Sequence, residues 1–381
     1  MKINEKRLVD TFLELVRTDS ESFHEKPMQE LLTKKLKALG CSVYVDNAGS
    51  KYETNAKGNI IASFKGSKKS QPMILSCHMD TVPPGRGIKP IVKKDRITSD
   101  GTTILGGDDK AGIAIILEVL ASLKEQKIPH APLEILFTLT EESGMRGAKN
   151  LDYKKLKSRE GLILDNEEYD ELLIQGPCVS DVEVWIKGVP AHAGVCPEKG
   201  ISALELAAKA LSIMKLGRID KETVANFAII KGGAATNIVT EDIYIKGEAR
   251  SLNEAKLKKQ LAHMKDCFDK AAKLFVKKVD GKVLRPQIKF VTSRRYGAVC
   301  VAKNAPIVKL VTQSAKEQGV KLRACASGGG CDANVLSDFG FTLPNLGVGV
   351  QKCHTTAEYL ELKPFFTAFK IVMGTVLKYQ K

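Results

Sequence analysis

Residues Leu133–Gly144 read LEILFTLTEESG, and the passage from apolar to acidic within this stretch decides the fold. Leu133–Leu139 is rich in leucine and aromatic residues and carries no turn residue, which at that length predicts a buried strand. Two carboxylates, Glu141 and Glu142, stand side by side just past its end. Neighbouring carboxylates repel unless they are solvated or a positive charge sits between them. Either these are two loop residues in water, or the ends of several strands gather a charged site.

Outward from this strand, helical and strand patterns alternate. Helices are expected at about 3–17, 26–39 and 110–124, and strands at about 42–46, 59–64, 73–77, 133–139 and 161–164. Short apolar strands separated by helices predict an α/β fold with a helix-covered, mostly parallel sheet. The character changes at Val179, where VSDVEVWIKGVPAHAG alternates apolar and polar residues. A helix at 201–214, strands at 224–230 and 243–249, a helix at 253–277 and a strand at 287–293 follow. Half-exposed strands with helices on one side describe a smaller α+β domain. Buried patterns return with a helix at 305–318, the loop ASGGGCDAN, the strand LPNLGVGV and a helix from Lys363. The expected organisation is a catalytic domain, 1–177 and 296–381, interrupted by an inserted lid or dimerisation domain, 178–295.

Composition bounds the function. At 381 residues two domains are the default. A hydrophobic content of 43% with 27% charged residues is ordinary for a soluble globular protein. No stretch approaches the ~18 apolar residues of a membrane span, and the first twenty residues lack the apolar core of a signal peptide. A cytoplasmic protein with no membrane partner is expected. The nine cysteines are scattered without a CxxC pair, against both a disulfide framework and a thiolate zinc site. Cys77, Cys267 and Cys300 lie in apolar or amphipathic segments, where a thiol acts as a small hydrophobe. The net charge of +15 raises nucleic acid as a partner. The lysines, however, lie on the solvated faces of helices such as Asn253–Lys278, with no zinc-finger, RNP or helix-turn-helix signature. No nucleic-acid partner is expected.

The polar residues cluster at element ends. In HMDTVPPG, His78 and Asp80 are two apart, so an extended chain points both to one face. A carboxylate beside a histidine is the usual support of a metal-binding imidazole. In LGGDDKAG, Asp108 and Asp109 precede an apolar helix; an acidic first turn suffices to explain them, and glycines there can also form an anion nest. Neither GxxxxGK[ST] nor GxGxxG after a strand occurs, which excludes those nucleotide-binding loops. Asp165 ends GLILD, and His354 follows LGVGVQKC. Open α/β sheets bind ligands at the carboxyl ends of their strands. Two histidines and three or more carboxylates without a thiolate suit two divalent cations sharing a carboxylate, zinc first and cobalt or manganese as alternates. HExxH is absent, which excludes the helical single-zinc type.

The set HMDTVPPG, GGDDKAG, TEESG, LDN and CHTTAEYL, with GVPAHAG in the inserted domain, resembles the co-catalytic metallopeptidase family of peptidase T, carboxypeptidase G, aminoacylase and succinyl-diaminopimelate desuccinylase. The peptidase T-like branch is the most similar, and the match runs in order over nearly the whole chain. The resemblance implies that His78, Asp108 and Asp165 bind one metal and Asp108, Glu142 and His354 the other. Asp108 would bridge them, Asp80 would orient His78, and Glu141 would be the general base for a metal-bridged water. It offers His192 as an oxyanion contact in its own or a partner subunit's site, with Asn237, Arg250 and Gly329 near substrate, and implies a homodimer. One departure is visible: Ser327 stands where tripeptidases of the family carry an arginine before a glycine pair. The implied activity is aminopeptidase cleavage of small peptides. Hydrolysis of N-acyl amino acids, or carboxypeptidase-type amide cleavage, is the alternative, and a non-catalytic binding protein ranks below both.

Overall fold

The computed structural model describes residues 3–380. The chain divides into two compact units, one running to Gly176 and resuming at Val299, the other Pro177–Ala298.

The first unit is built on a nine-stranded sheet. Its centre is parallel: Met73–His78 lies between Leu133–Thr138 and Gly161–Asn166, and Asn345–Gly347 continues beyond the latter. Ile60–Phe64 and Ser42–Val45 extend one edge antiparallel. Glu171–Gly176 extends the other edge, antiparallel to Asn345–Gly347, and pairs with both Val299–Cys300 and Arg323–Ala326. All residues of Met73–His78 and Leu133–Thr138 are buried, as expected of strands covered on both faces. The helix Gly107–Glu125 is apolar nearly all round and buried from Ala111 to Leu123, as a helix enclosed by sheet and neighbouring helices must be. Glu5–Val16 and Leu362–Lys378 pack against it.

Three local readings are corrected. LPNLGVGV is not one strand: Asn345–Gly347 joins the main sheet, and Val350–Gln351 joins a separate four-stranded sheet with Tyr359–Glu361, Arg96–Thr98 and Ile91–Val92. Gly349, with φ +89°, makes the break. The glycine loop ends in the short helix Asp332–Ser337. Cys300 is exposed, because the alternation of its two-residue edge strand turns Val299 inward instead. All nine cysteines are free.

The second unit is a five-stranded antiparallel sheet, in the order Gly217–Arg218, Thr223–Gly232, Asp242–Ser251, Cys178–Lys187, Gln287–Tyr296. Ala203–Ser212 and Glu254–Leu274 pack on it, burying Val182, Val184, Ile186, Met264 and Phe268 in a core of its own. Phe268 is fully buried and meets Phe227 and Phe290 at 6.1 Å between ring centres. Phe268→Ala is expected to destabilise this unit by about 3–5 kcal/mol. Trp185, the single tryptophan, lies on its sheet, so urea unfolding followed by fluorescence reads the effect directly.

Candidate metal centre

The site forms where the parallel strands end. Register pairs His78 with Thr138 and Ser76 with Ile163, so two further residues along each chain bring Asp165 level with His78. This is the place where the chain passes to opposite sides of Met73–His78, the crevice at which open α/β sheets bind ligands. The fourth contributor is the start of Gly107–Glu125. A Cβ on Gly112 would collide with the Leu164 carbonyl and the Cys77 thiol, so glycine lets this helix lie against the ends of both strands. Asp108 (φ −80°, ψ 106°) departs from helical geometry, and the two aspartates diverge. Asp109 is buried and accepts from the His78 backbone N–H at 3.2 Å, whereas Asp108 meets the histidines.

His78 Nε2 lies 3.1 Å from Asp108 Oδ1 and 3.7 Å from Asp165 Oδ1. His354 Nε2 lies 3.2 Å from Asp108 Oδ2 and 2.8 Å from Glu142 Oε1. His354 is held at φ +64°, an uncommon conformation outside glycine that functional positions often retain. Potential donor atoms lie within 4.8 Å of one another in three sets: His78–Asp108–Asp165, Asp108–Glu142–His354 and His78–Glu141–Glu142. His78 Nδ1 is 2.9 Å from the Asp80 carbonyl. A carbonyl only accepts, so Nδ1 carries a proton, and it is Nε2 that faces the carboxylates and would offer its lone pair to a cation held among them. That is the tautomer a cation requires.

Asp80 contributes more than its carbonyl. Its Oδ1 is 3.4 Å from His78 Nδ1 and accepts from the Glu141 N–H at 2.9 Å. Its Oδ2 accepts from Ser22 Oγ at 2.6 Å and from the Glu142 N–H at 3.3 Å. Asn345 holds Asp165 from the next strand, accepting the Asp165 N–H at 2.8 Å and donating to its carbonyl at 2.6 Å.

The electrostatics ask for positive charge. Burial lifts Asp165 to about 7 against the pull of His78, and burial lifts Glu141 well above the ordinary carboxylate range. Burial opposes a charge on Asp108, yet hydrogen bonds from His354 and His78 hold its carboxyl well below its usual value. Asp108 and Glu142 together raise His354 to about 10. Crowded buried carboxylates are stable only with compensating charge, and the donor set, all carboxylate oxygen and imidazole nitrogen, fits divalent cations.

Gly329 and Ser327 line a cavity of about 380 Å³ together with Asp108, Asp165 and His354. His192, Asn237 and Arg250 lie in the second unit. There the His192 segment pairs with that of Ile238, and Ala193 N–H donates to the Asn237 carbonyl at 2.9 Å. His192 and Asn237 are exposed, and Arg250 is paired with Glu248 at 2.5 Å. Two buried acids escape the sequence reading. Asp332, lifted by burial to about 6, accepts from Thr138 Oγ1 and leaves its other oxygen without a partner. Glu358 accepts two backbone N–H groups from the Asp108 turn. Each stands inside a quoted motif, GGGCDAN and CHTTAEYL, and that position was the available signal.

Fold and donor set together define a metal-dependent hydrolase on an open α/β sheet. The chain belongs to Peptidase family M20/M25/M40, whose model matches residues 74–378. The structure of aminopeptidase PepT from Bacillus cereus is 39% identical, with a TM-score of 0.92 and 98% of each chain covered. A tripeptidase from Staphylococcus aureus is 38% identical, with the same TM-score and coverage. Peptidase T of Fusobacterium nucleatum is 26% identical over 98% of this chain and 89% of its own. The chain is accordingly a metal-dependent peptide hydrolase of the peptidase T-like aminopeptidase branch.

Proposed function

We propose that the chain removes the N-terminal residue from small peptides, tripeptides foremost, with two divalent ions per subunit, zinc by first choice and cobalt or manganese as alternates. The observation that carries this reading is the Asp108 carboxylate, which turns one oxygen to His78 and the other to His354. Each histidine has a further carboxylate beside it, Asp165 for the first and Glu142 for the second. Two cation positions sharing Asp108 follow. Divalent ions held there supply Lewis-acid polarisation of the scissile carbonyl and bring the pKa of water toward ~7.

Glu141 is the general base. Its carboxylate takes the proton of the attacking water and returns it to the leaving amine. The burial that raises Glu141 suits a group that must both accept and release a proton near neutrality. Asp80 sets the main chain of both glutamates through its carboxylate and the tautomer of His78 through its carbonyl. Asp80→Asn keeps the main-chain carbonyl, but its one amide oxygen can accept from only one of the Glu141 and Glu142 N–H groups, so the loss should fall on the placement of the two glutamates. Turnover is expected to drop about 10–100-fold with metal content near wild type, checked by metal analysis beside steady-state kinetics.

In this reading the second unit is a lid and dimerisation domain, with His192, Asn237 and Arg250 as substrate contacts and Gly329 presenting its backbone to the peptide. Support for a homodimer comes from apolar side chains exposed on that unit, Val195, Ile229 and Ile230 among them. No helix among the described residues is long and apolar enough to cross a membrane, and the cytoplasm is the compartment proposed for the enzyme. Ser327, where tripeptidases carry an arginine, favours the second reading, an N-acyl amino acid deacylase using the same metal centre. Protein reloaded separately with zinc, cobalt and manganese, and offered di-, tri- and tetrapeptides and N-acyl amino acids, decides by product mass. Release of the first residue of tripeptides establishes the aminopeptidase. Cleavage of N-acyl compounds alone moves the chain to the deacylases, and no cleavage with any metal refutes both.

A further inference from the structure

The turn before Asp108 is shaped to receive an anion. Gly106 has φ +70°, and its N–H and that of Asp108 converge on one carboxylate. Amides turned inward in this way form a nest for negative charge. The occupant is internal: Glu358 Oε2 accepts from Gly106 N at 2.7 Å and Oε1 from Asp108 N at 3.1 Å. The Glu358 side chain is only 1% exposed. Packing around the nest is close, since a Cβ on Gly107 would lie 3.1 Å from the Val350 methyls and 3.2 Å from Glu358 Oε1.

Glu358 lies four residues beyond His354, on the connection between Val350–Gln351 and Tyr359–Glu361, which pair antiparallel. A turn closed by Glu358 N–H to the Thr355 carbonyl at 3.1 Å shortens that connection. One loop therefore presents a histidine to the acidic cluster and braces the main chain of the aspartate opposite it.

We propose that Glu358 is a positioning residue that fixes Asp108 relative to His354, acting through the backbone and touching neither ion nor substrate. The inference rests on the reading of Asp108 as the shared ligand. The non-helical backbone of Asp108 leaves its N–H outside the regular helical ladder, and Glu358 supplies the acceptor that a buried amide needs. Without that acceptor the turn is free to shift, carrying the Asp108 carboxylate away from both imidazoles.

Zinc titration calorimetry on metal-free wild type, Glu358→Gln and Glu358→Asp tests this. Gln is isosteric but sets an amide N–H against one of the two donors, and Asp is too short to reach both. Zinc affinity is expected to fall about 10–100-fold, with both equivalents weakened, while the circular dichroism and thermal midpoint of the metal-free protein hold. Folded variants that bind two equivalents with wild-type affinity overturn the proposal. So does a lowered midpoint with unchanged affinity, or loss of the fold in both variants, each of which makes Glu358 a purely architectural carboxylate. Failure of the wild type itself to take up two equivalents sinks the shared-ligand reading instead.

Discussion

Glu141→Gln is expected to lower kcat by about 10²–10⁴-fold while the protein binds metal in wild-type amount. The substitution keeps shape and a hydrogen-bonding oxygen but removes the ability to hold a proton and pass it on. The backbone supports a clean result, because the Glu141 N–H is anchored to Asp80 Oδ1, a contact the change leaves alone. The side chain is buried, and a neutral amide there avoids the burial of charge that raises Glu141 and eases its carboxylate neighbours. Stability should therefore hold or rise, by the same reasoning that makes an unpaired buried charge costly. Kinetics and metal analysis on one preparation check it. Glu141 also belongs to a possible donor set with His78 and Glu142. Loss of metal with loss of activity would reassign Glu141 as a ligand.

The legible part of this site was written locally. A strand that runs out into His78-x-Asp80, into Glu141–Glu142 or into Asp165 shows its polar residue beside its own apolar run, and sheet physics places such ends together. Asp108 and Asp109 show the limit of that reasoning. Both read as first-turn acids, and only the three-dimensional placement of Gly112 against Leu164 and Cys77 explains how that turn reaches the strand ends. Glu358 was harder still, because its partners lie about 250 residues away in sequence and no local pattern marks a carboxylate that will fill a distant nest. The strand Glu171–Gly176 follows the acidic run NEEYD, which masks a short apolar alternation. Long-range pairing, with Asn345–Gly347 and Arg323–Ala326, makes it a strand. LPNLGVGV misled in the opposite sense, since its apolar content was continuous while a left-handed Gly349 divided it between two sheets.

Asp108→Ala should be the most damaging single change, taking activity down on the order of 10³-fold or more, at or beyond the loss from removing one strong transition-state contact. The argument is stoichiometric. His354→Ala leaves His78, Asp108 and Asp165 together, so that variant should still take up one zinc equivalent tightly. His78→Ala likewise leaves Asp108, Glu142 and His354. Asp108→Ala removes a donor from both sets at once, since its two oxygens face different histidines, and tight binding should vanish at both positions. The same change leaves His78 and His354 without the Asp108 partner that helps raise each imidazole. Both should then release protons at lower pH, visible in the imidazole NMR signals of the metal-free protein. The contrast between near zero equivalents for Asp108→Ala and about one for each histidine variant measures sharing itself, which activity alone does not. Retention of one tight equivalent by Asp108→Ala would mean that the aspartate serves a single ion, and that the second position must be held by Glu142 and His354 with a donor from elsewhere.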